Sequence, residues 1–535
     1  MIYKSKFSIP FLIITILIIT GCSNSVSIDE KKVFRYNEHS NISSLDPIYS
    51  STLRNIWPVN QIFNGLVQLD DSLKVKPDLA KNWIISKNGL EYKFLIKKHI
   101  FYHHSKTFGR DSTRAVNASD FEYSFKRLND PQLGSPGSWA LKNVSSFKAE
   151  NDSVFVIKLK KPFAAFLGLL SMKYFSVVPF EAVNYYGDKF GKNPIGTGPF
   201  KFKRWEENIK LVLRKNYLYF EKDRKGKNLP YLEAISITFL PDKKSEFMEF
   251  AQNKIDFINS IDSSFKDQLI SINGNLKKEH SKKIKLISGP YLNTEYIGFY
   301  LGDKKSQIHS KKLRLAINYA IDRKKMMKYL RNNIGYPANN GFVPLGLNME
   351  NSVKGFNYNL KKAKTLVQEY KVENNKEKIE LILTSDANYL DIVEFIQREL
   401  QKIDIDLSIN IVPASTLRQG KSNGKFEMFR ASWIADYPDS ENYLSLFYSK
   451  NLAPNGPNYT HFKSIEFDRL FESTYQEQNS LIRKNIYKEL DSLVLENSPI
   501  IPLYYDKVMR FSQKNIEGLT TNPVNQLNLK KVYKK

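Results

Sequence analysis

Residues 379–411 read IELILTSDANYLDIVEFIQRELQKIDIDLSINI, and the change of period within them decides the fold class. Ile379, Leu381 and Leu383 alternate on one face, as do Ile405, Leu407, Ile409 and Ile411, so each run predicts a strand. Between them Ile392, Phe395, Ile396, Leu400 and Ile403 recur at helical spacing. Strand, helix, strand in that order predicts a crossover unit whose strands lie parallel in one sheet, and hence an α/β fold.

Moving outward, a strand is expected from Phe426 to Ala431, and an amphipathic helix from about Leu481 to Leu495 behind the capping residues Asn479 and Ser480. On the other side, Leu313, Ala316, Ile317, Ala320 and Ile321 form a helical stripe. The N-terminal half is strand-rich. It opens with a strand around Val33 to Tyr36 and repeats a period of two in Tyr92-Phe94-Ile96, Phe155-Ile157-Leu159, Leu211-Leu213 and Ile235-Ile237-Phe239. A chain of 535 residues predicts roughly three domains. No internal repeat or low-complexity linker divides it.

The N-terminus carries an export signature. Lys4 and Lys6 precede the uncharged run from Phe7 to Thr20, which ends at Gly21-Cys22. The run is shorter than the roughly 20 residues needed to span a bilayer, so it reads as a signal peptide with a lipobox rather than a permanent membrane helix. Cys22 is the only cysteine in the chain. Its diacylation supplies two buried chains, enough for stable anchoring, and with no second thiol in the chain no disulfide is expected in the mature protein. The ten polar residues 23–32 suit a tether. The formal net charge of +26 is spread over the whole chain and interleaved with acids. No basic block of the kind that binds nucleic acid stands out, so weak attraction to anionic headgroups is the expected consequence.

Catalytic motifs fail on context. Gly420-Lys421-Ser422-Asn423-Gly424 has the spacing of a nucleophile elbow, but its flanks are polar and no strand leads into the serine. A phosphate-binding loop needs a glycine where Ser415 stands. A polar surface turn is the expectation. His103-His104 is the only adjacent histidine pair, and neighbouring side chains on a strand diverge, so no metal is expected. Pro194-Ile195-Gly196-Thr197-Gly198-Pro199-Phe200 has Lys201 in place of a third dinucleotide-binding glycine and reads as a rigid turn. The remaining segment, Arg430-Ala431-Ser432-Trp433-Ile434-Ala435-Asp436-Tyr437-Pro438-Asp439, groups a cation, an indole and a carboxylate at the carboxyl end of a strand, where ligands sit in open α/β sheets. On spacing alone a loop with a core tryptophan and solvated charges fits it as well.

An ordered series of segments carries a family resemblance. Ser44-Leu45-Asp46-Pro47, Phe63-Asn64-Gly65-Leu66, Pro77-Asp78-Leu79-Ala80-Lys81-Asn82-Trp83, Ala118-Ser119-Asp120-Phe121 and Tyr123-Ser124-Phe125-Lys126-Arg127 open it. The Pro194 turn, Leu313-Arg314-Leu315-Ala316-Ile317, Ala320-Ile321-Asp322-Arg323, the tryptophan segment, Thr460-His461-Phe462-Lys463, Phe467-Asp468-Arg469-Leu470 and Ile501-Pro502-Leu503-Tyr504-Tyr505 follow. Together they resemble the oligopeptide- and dipeptide-binding proteins of ABC importers, solute-binding protein family 5, in lipoprotein form.

The resemblance implies a two-lobed periplasmic-binding-protein clamp of type II with an extra N-terminal α/β subdomain and mixed sheets. The expected division is 1–21 signal peptide, 22–32 lipidated tether, 33–66 with 193–290 and 508–535 as lobe I, 67–192 as the additional subdomain and 291–507 as lobe II. It implies a monomeric receptor and not an enzyme, anchored to the cell membrane on its periplasmic or outer face. The receptor would hold an oligopeptide as an extended strand between the lobes and hand it to an ABC permease. No cofactor or nucleic acid is implied. By resemblance Asp436 holds the ligand's α-ammonium, Trp433 packs over the bound chain, and Arg430, Ser432 and Ile434 line it. Asn41 and Ser43 fall where the first strand meets the peptide, Asn41 standing where the oligopeptide binders carry an acid. Tyr291 and Tyr504 fall at the lobe crossings. Nickel, haem or a glycan remains open as cargo, because a fold does not determine its ligand; a lipid-anchored hydrolase is the remaining alternative.

Overall fold

The computed structural model describes residues 32–261, 263–347 and 353–535. The expected signal peptide and Cys22 lie outside them. Among the described residues no helix is long and apolar enough to cross a membrane.

The expected crossover unit is present. Glu380–Ser385 and Asp406–Ile411 pair in parallel, with Leu381 opposite Leu407 and Leu383 opposite Ile409. The helix Leu390–Gln401 connects them and buries Ile392, Val393, Phe395, Ile396 and Leu400. Its apolar stripe packs on the sheet in one core with Leu381, Leu383, Ile405 and Leu407.

Two long strands organise the molecule. Ile284–Phe299 and Ile500–Gln513 run antiparallel through the middle of the largest sheet among the described residues. Their first ends pair as Ile284–Pro290 with Gln513–Lys507, and their second ends as Thr294–Gly298 with Tyr505–Ile500. Between Pro290 and Thr294 the register shifts. On one side of this break the sheet continues through Phe257–Asn259, Val33–Asn37, Ala234–Thr238, Lys210–Lys215 and Phe200–Glu206. On the other it continues through Met428–Ile434 and the crossover pair. Parallel and antiparallel neighbours occur in the same sheet, and each side has its own apolar core. This is the mixed α/β, two-lobed architecture expected.

A separate four-stranded antiparallel sheet is formed by Ala80–Ile85, Glu91–Ile96, Val154–Leu159 and Val144–Asn151. The helix Ala118–Asn129 covers it, started by a capping box in which Asn117 and Asp120 satisfy each other's backbone N–H groups. Phe121 and Phe125 of that helix meet Phe155 of the sheet.

Several of the segments that carry the resemblance bind one another, and others bind backbone nearby. Asp46 takes a two-pronged ion pair from Arg127, with Oδ2 to Nη2 at 2.7 Å. Asp78 accepts from the Asn64 amide at 2.8 Å and the Gly65 N–H at 3.1 Å. Arg314 donates to the carbonyls of Ile308, His309, Asn497 and Ser498, and Arg323 donates to Pro502 O and Asn318. These buried groups organise backbone that would otherwise lose its partners.

Three local expectations change. The strand expected over Phe426–Ala431 is Met428–Ile434, because Asn293–Phe299 supplies antiparallel partners as far as Ile434. Arg430, Ser432, Trp433 and Ile434 are therefore within the strand, and of the expected site residues in this segment Asp436 alone lies past its end. Gly420, Lys421 and Ser422 form the last turn of the helix Ala414–Ser422 rather than a surface turn; a Cβ on Gly420 would strike the Phe426 ring. His103 is not on a strand. Its buried ring bridges Gly198 O at 3.0 Å and Gly196 N at 3.3 Å, and burial holds its pKa down to about 4, so it pins the proline turn as a neutral ring. In that turn Gly196 and Gly198 lie against the Gln61 and Ile62 backbone, where a Cβ does not fit.

Candidate functional site

The register break between Pro290 and Thr294 positions the site. With pairing to the other long strand interrupted, Leu292 N–H donates to Pro523 O at 2.7 Å and Leu292 O accepts from Ala435 N–H at 3.0 Å. The crossing strand thus holds the residue just before Asp436. Asn442 completes the support: its Oδ1 accepts from the Trp433 indole N–H at 2.9 Å and from the Asp436 N–H at 3.3 Å.

Asp436 borders a cavity of about 470 Å³. The walls come from segments far apart in sequence: Leu53 and Ile56, Met172 and Tyr174, Tyr291 and Ile434, and Val524. The lining is mostly apolar. The Asp436 side chain is open to cavity water yet walled by protein, and the resulting desolvation raises its pKa above the usual 3.8, against a lowering contribution from the Asn442 amide. Among the described residues no cation is paired with this carboxylate. Tyr174 faces it across the cavity wall, and burial followed by the Asp436 charge pushes the phenol's pKa up to about 12.

A larger cavity of about 800 Å³ adjoins the first, and Tyr291 and Leu53 line both. It differs in chemistry. Lys266, Arg331, Tyr389, Asp506 and Lys507 face it, and the Arg331 guanidinium lies 3.6 Å from Asp506 and 4.9 Å over the Tyr504 ring. Beside it Arg430 is 2.5 Å from Glu295 and 3.8 Å from Asp386, with its guanidinium 3.3 Å above the Tyr389 ring. Burial raises the pKa of Glu295 and Arg430 opposes that rise.

The expected site residues fall into two groups. Asp436, Ile434 and Tyr291 line the cavities. Arg430, Ser432, Trp433 and Tyr504 line neither: Ser432 pairs with Glu295 in the sheet, Trp433 packs against the core around Phe429 and Tyr443, and Tyr504 is buried beneath Arg331. Asn41 and Ser43 also lie off both cavities. Asn41 Oδ1 accepts from the Trp205 indole at 3.3 Å and Asn208 N–H at 3.2 Å, and Ser43 bonds Asn55. The residues that local reading missed are Leu53, Met172, Tyr174, Val524, Arg331 and Asp506. Asp506 alone had a sequence signal, directly after the Ile501–Tyr505 segment.

Comparison with known proteins adds the following. The family model described as bacterial extracellular solute-binding proteins, family 5 middle, matches residues 74–455. The chain is similar to the glutathione-binding protein GsiB of Escherichia coli O157:H7, 24% identical over 495 residues that span 90% of this chain and 91% of the relative. Its fold is similar to that of HbpA2 from Haemophilus parasuis, with a TM-score of 0.81 and 23% identity, covering 94% of this chain and 100% of that one. It is also similar to the ABC transporter-associated periplasmic binding protein DppA from Helicobacter pylori in complex with the peptide STSA. There the TM-score is 0.76 at 25% identity, covering 94% and 98% of the two chains.

Proposed function

The chain belongs to the bacterial extracellular solute-binding proteins of family 5, a binding protein and not an enzyme, and from that premise we propose that its cargo is a short peptide. The peptide lies extended across the two cavities, its α-ammonium on Asp436, its backbone bonded as a strand and its side chains in the surrounding space. The single observation that carries this reading is an uncompensated carboxylate at the edge of a mostly apolar cavity. A partly desolvated anion is stabilised by a cation brought to it, and an α-ammonium is the cation every peptide has. The polar second cavity suits the rest of a zwitterionic chain. The complex of DppA with STSA supports peptide as cargo.

In this reading Tyr291 marks the crossing between the lobes, which divide near 290/291 and 507/508, in keeping with the register break. Closure about that break shuts the ligand in. Arg430 and Trp433 hold Glu295 and Asn442 in place instead of touching the peptide, and Ser432, Ile434 and Tyr504 form the strands beneath it. The loaded receptor delivers to an ABC importer, and a lipid on Cys22 keeps it at the membrane beside that partner, where tethering raises its effective concentration.

Native mass spectrometry of protein purified without added ligand tests the reading. The expected result is a heterogeneous set of bound masses matching short peptides, lost in Asp436→Ala. A single non-peptide mass, or a metal ion, overturns peptide as cargo.

A further inference from the structure

We propose that the end of the first lobe formed by the hairpin Lys222–Asn228 and the C-terminal segment beside it is a docking face for anionic lipid headgroups, the surface on which the anchored receptor rests. The proposal builds on the lipid at Cys22. In the hairpin, Lys222 and Asn228 bridge, and Gly226 turns the chain with φ +80°. Asp223, the one acid in it, is consumed by the turn: its carboxylate accepts the N–H groups of Lys225 at 2.8 Å and Lys227 at 2.9 Å and the Tyr231 hydroxyl. Lys222, Arg224, Lys225 and Lys227 are all exposed. Among the described residues none of the four has an ion pair.

The acids around the hairpin are already matched. Glu221 is 2.7 Å from Lys530, Glu233 is 3.2 Å from Lys215, Asp256 is 2.7 Å from Lys534, and Glu517 is 2.7 Å from Lys535. Lys531 shares a groove with Asp70 and Asp71, which offset its charge. Four cations against the one Asp223 carboxylate leave a net surplus of three positive charges on one projecting turn. Aromatic rings stand beside them: Lys227 lies 5.0 Å over Tyr231, which meets Tyr533 edge-on at 5.9 Å, and Tyr533 is 42% exposed. Lysine and tyrosine together suit the headgroup level of a membrane.

The point of chain entry selects lipid over other polyanions. Lys32 O accepts the Glu233 N–H at 2.9 Å, and Val33 pairs with Ala234. The first described residues thus lie on the strand Ala234–Thr238 that follows the hairpin. Ten residue steps separate Cys22 from Lys32, a reach of at most ~36 Å. A lipid on Cys22 therefore holds this end, and not the opposite one, near the membrane.

The full lipidated chain in vesicles tests the face. Cys22 is the only native cysteine, so Asn228→Cys provides a single free thiol for a fluorophore without removing a cation, and Lys376→Cys on the far lobe serves as reference. With a headgroup-attached quencher, the probe at 228 is expected to be quenched on phosphatidylcholine vesicles containing phosphatidylglycerol, and released by high salt. Combining Lys222→Gln, Arg224→Gln, Lys225→Gln and Lys227→Gln should lower the docked-to-undocked ratio by about 600-fold, since each cation near such a surface is worth roughly fivefold and four are removed. Equal quenching at 228 and 376, or no change in the quadruple variant, overturns the proposal. Absence of quenching in vesicles that lack any permease also overturns it, in favour of a protein partner. Flotation with pure phosphatidylcholine vesicles reads the anchor separately. A chain that does not float there lacks the lipid, while the phosphatidylglycerol arm still decides the docking face.

Discussion

The two compartments of the cleft hold charge in opposite ways. Around the larger one the charges face each other: Arg430 with Glu295 and Asp386, Arg331 with Asp506. In the smaller one Asp436 has no such partner among the described residues. Matched charges set a frame and resist change, whereas an unmatched one is free to recognise a ligand. A charged residue near a cleft is thus informative only once its partners are known.

Removing Arg430 should give the largest effect and should show in stability. Arg430→Ala leaves Glu295, only 4% exposed, as an uncompensated buried charge, at a cost of about 3–5 kcal/mol. Denaturant unfolding of the ligand-free protein checks this, and an unchanged midpoint would show that the pair is not part of the frame. Asp436→Ala should act on binding instead, weakening a peptide by about 10²- to 10³-fold by titration calorimetry with little change in unfolding. If Asp436→Ala destabilises and Arg430→Ala spares the fold, the contrast between the compartments is reversed. Trp433→Phe, which frees Asn442 Oδ1 of its indole donor, should cost about 1 kcal/mol and weaken binding several-fold through misplacement of the Asp436 segment.

The dependence on pH has two parts of opposite sign. Below the raised pKa of Asp436 the carboxylate takes a proton and loses its hold on an ammonium, so peptide affinity falls as pH drops toward that value. Asp491, Glu441 and Glu38 are buried acids whose folded pKa is raised to about 7, by desolvation first in each case. The folded state binds their protons more tightly than the unfolded chain, so their contribution to stability is greatest at low pH and is lost as pH rises from about 4 through about 7, opposed in part by His103, whose lowered pKa acts in the other direction. Thermal unfolding should therefore give a higher Tm at pH 5.5 than at pH 8, while calorimetry through a descending pH series should show peptide affinity falling toward the acid end.

Much of the fold was legible locally. The crossover unit, the stripe of Leu390–Gln401 and the Asn479 cap of the helix Ser480–Asn497 follow from side-chain period and capping chemistry, which depend on near neighbours in sequence. The family segments were legible too, although most act by holding the frame: Asp46 on Arg127, Asp78 on Asn64, Arg314 and Arg323 on backbone carbonyls. Asp436 was singled out through resemblance. The strand's true end was missed because its last residues are strand only by pairing with Asn293–Phe299, far away in the chain.

By itself, then, the sequence determined which segments are strands and helices, that the sheet contains a parallel crossover, and which family the chain resembles. All of these rest on local periodicity and on the order of motifs. Tertiary structure alone decided which charges are spent and which are free. Arg430 and Asp436 stand six residues apart, but one is neutralised by Glu295 from a neighbouring strand and the other faces a cavity walled by Leu53, Met172, Tyr174 and Val524. Ion pairing and desolvation depend on distance in space, and no spacing along the chain encodes it.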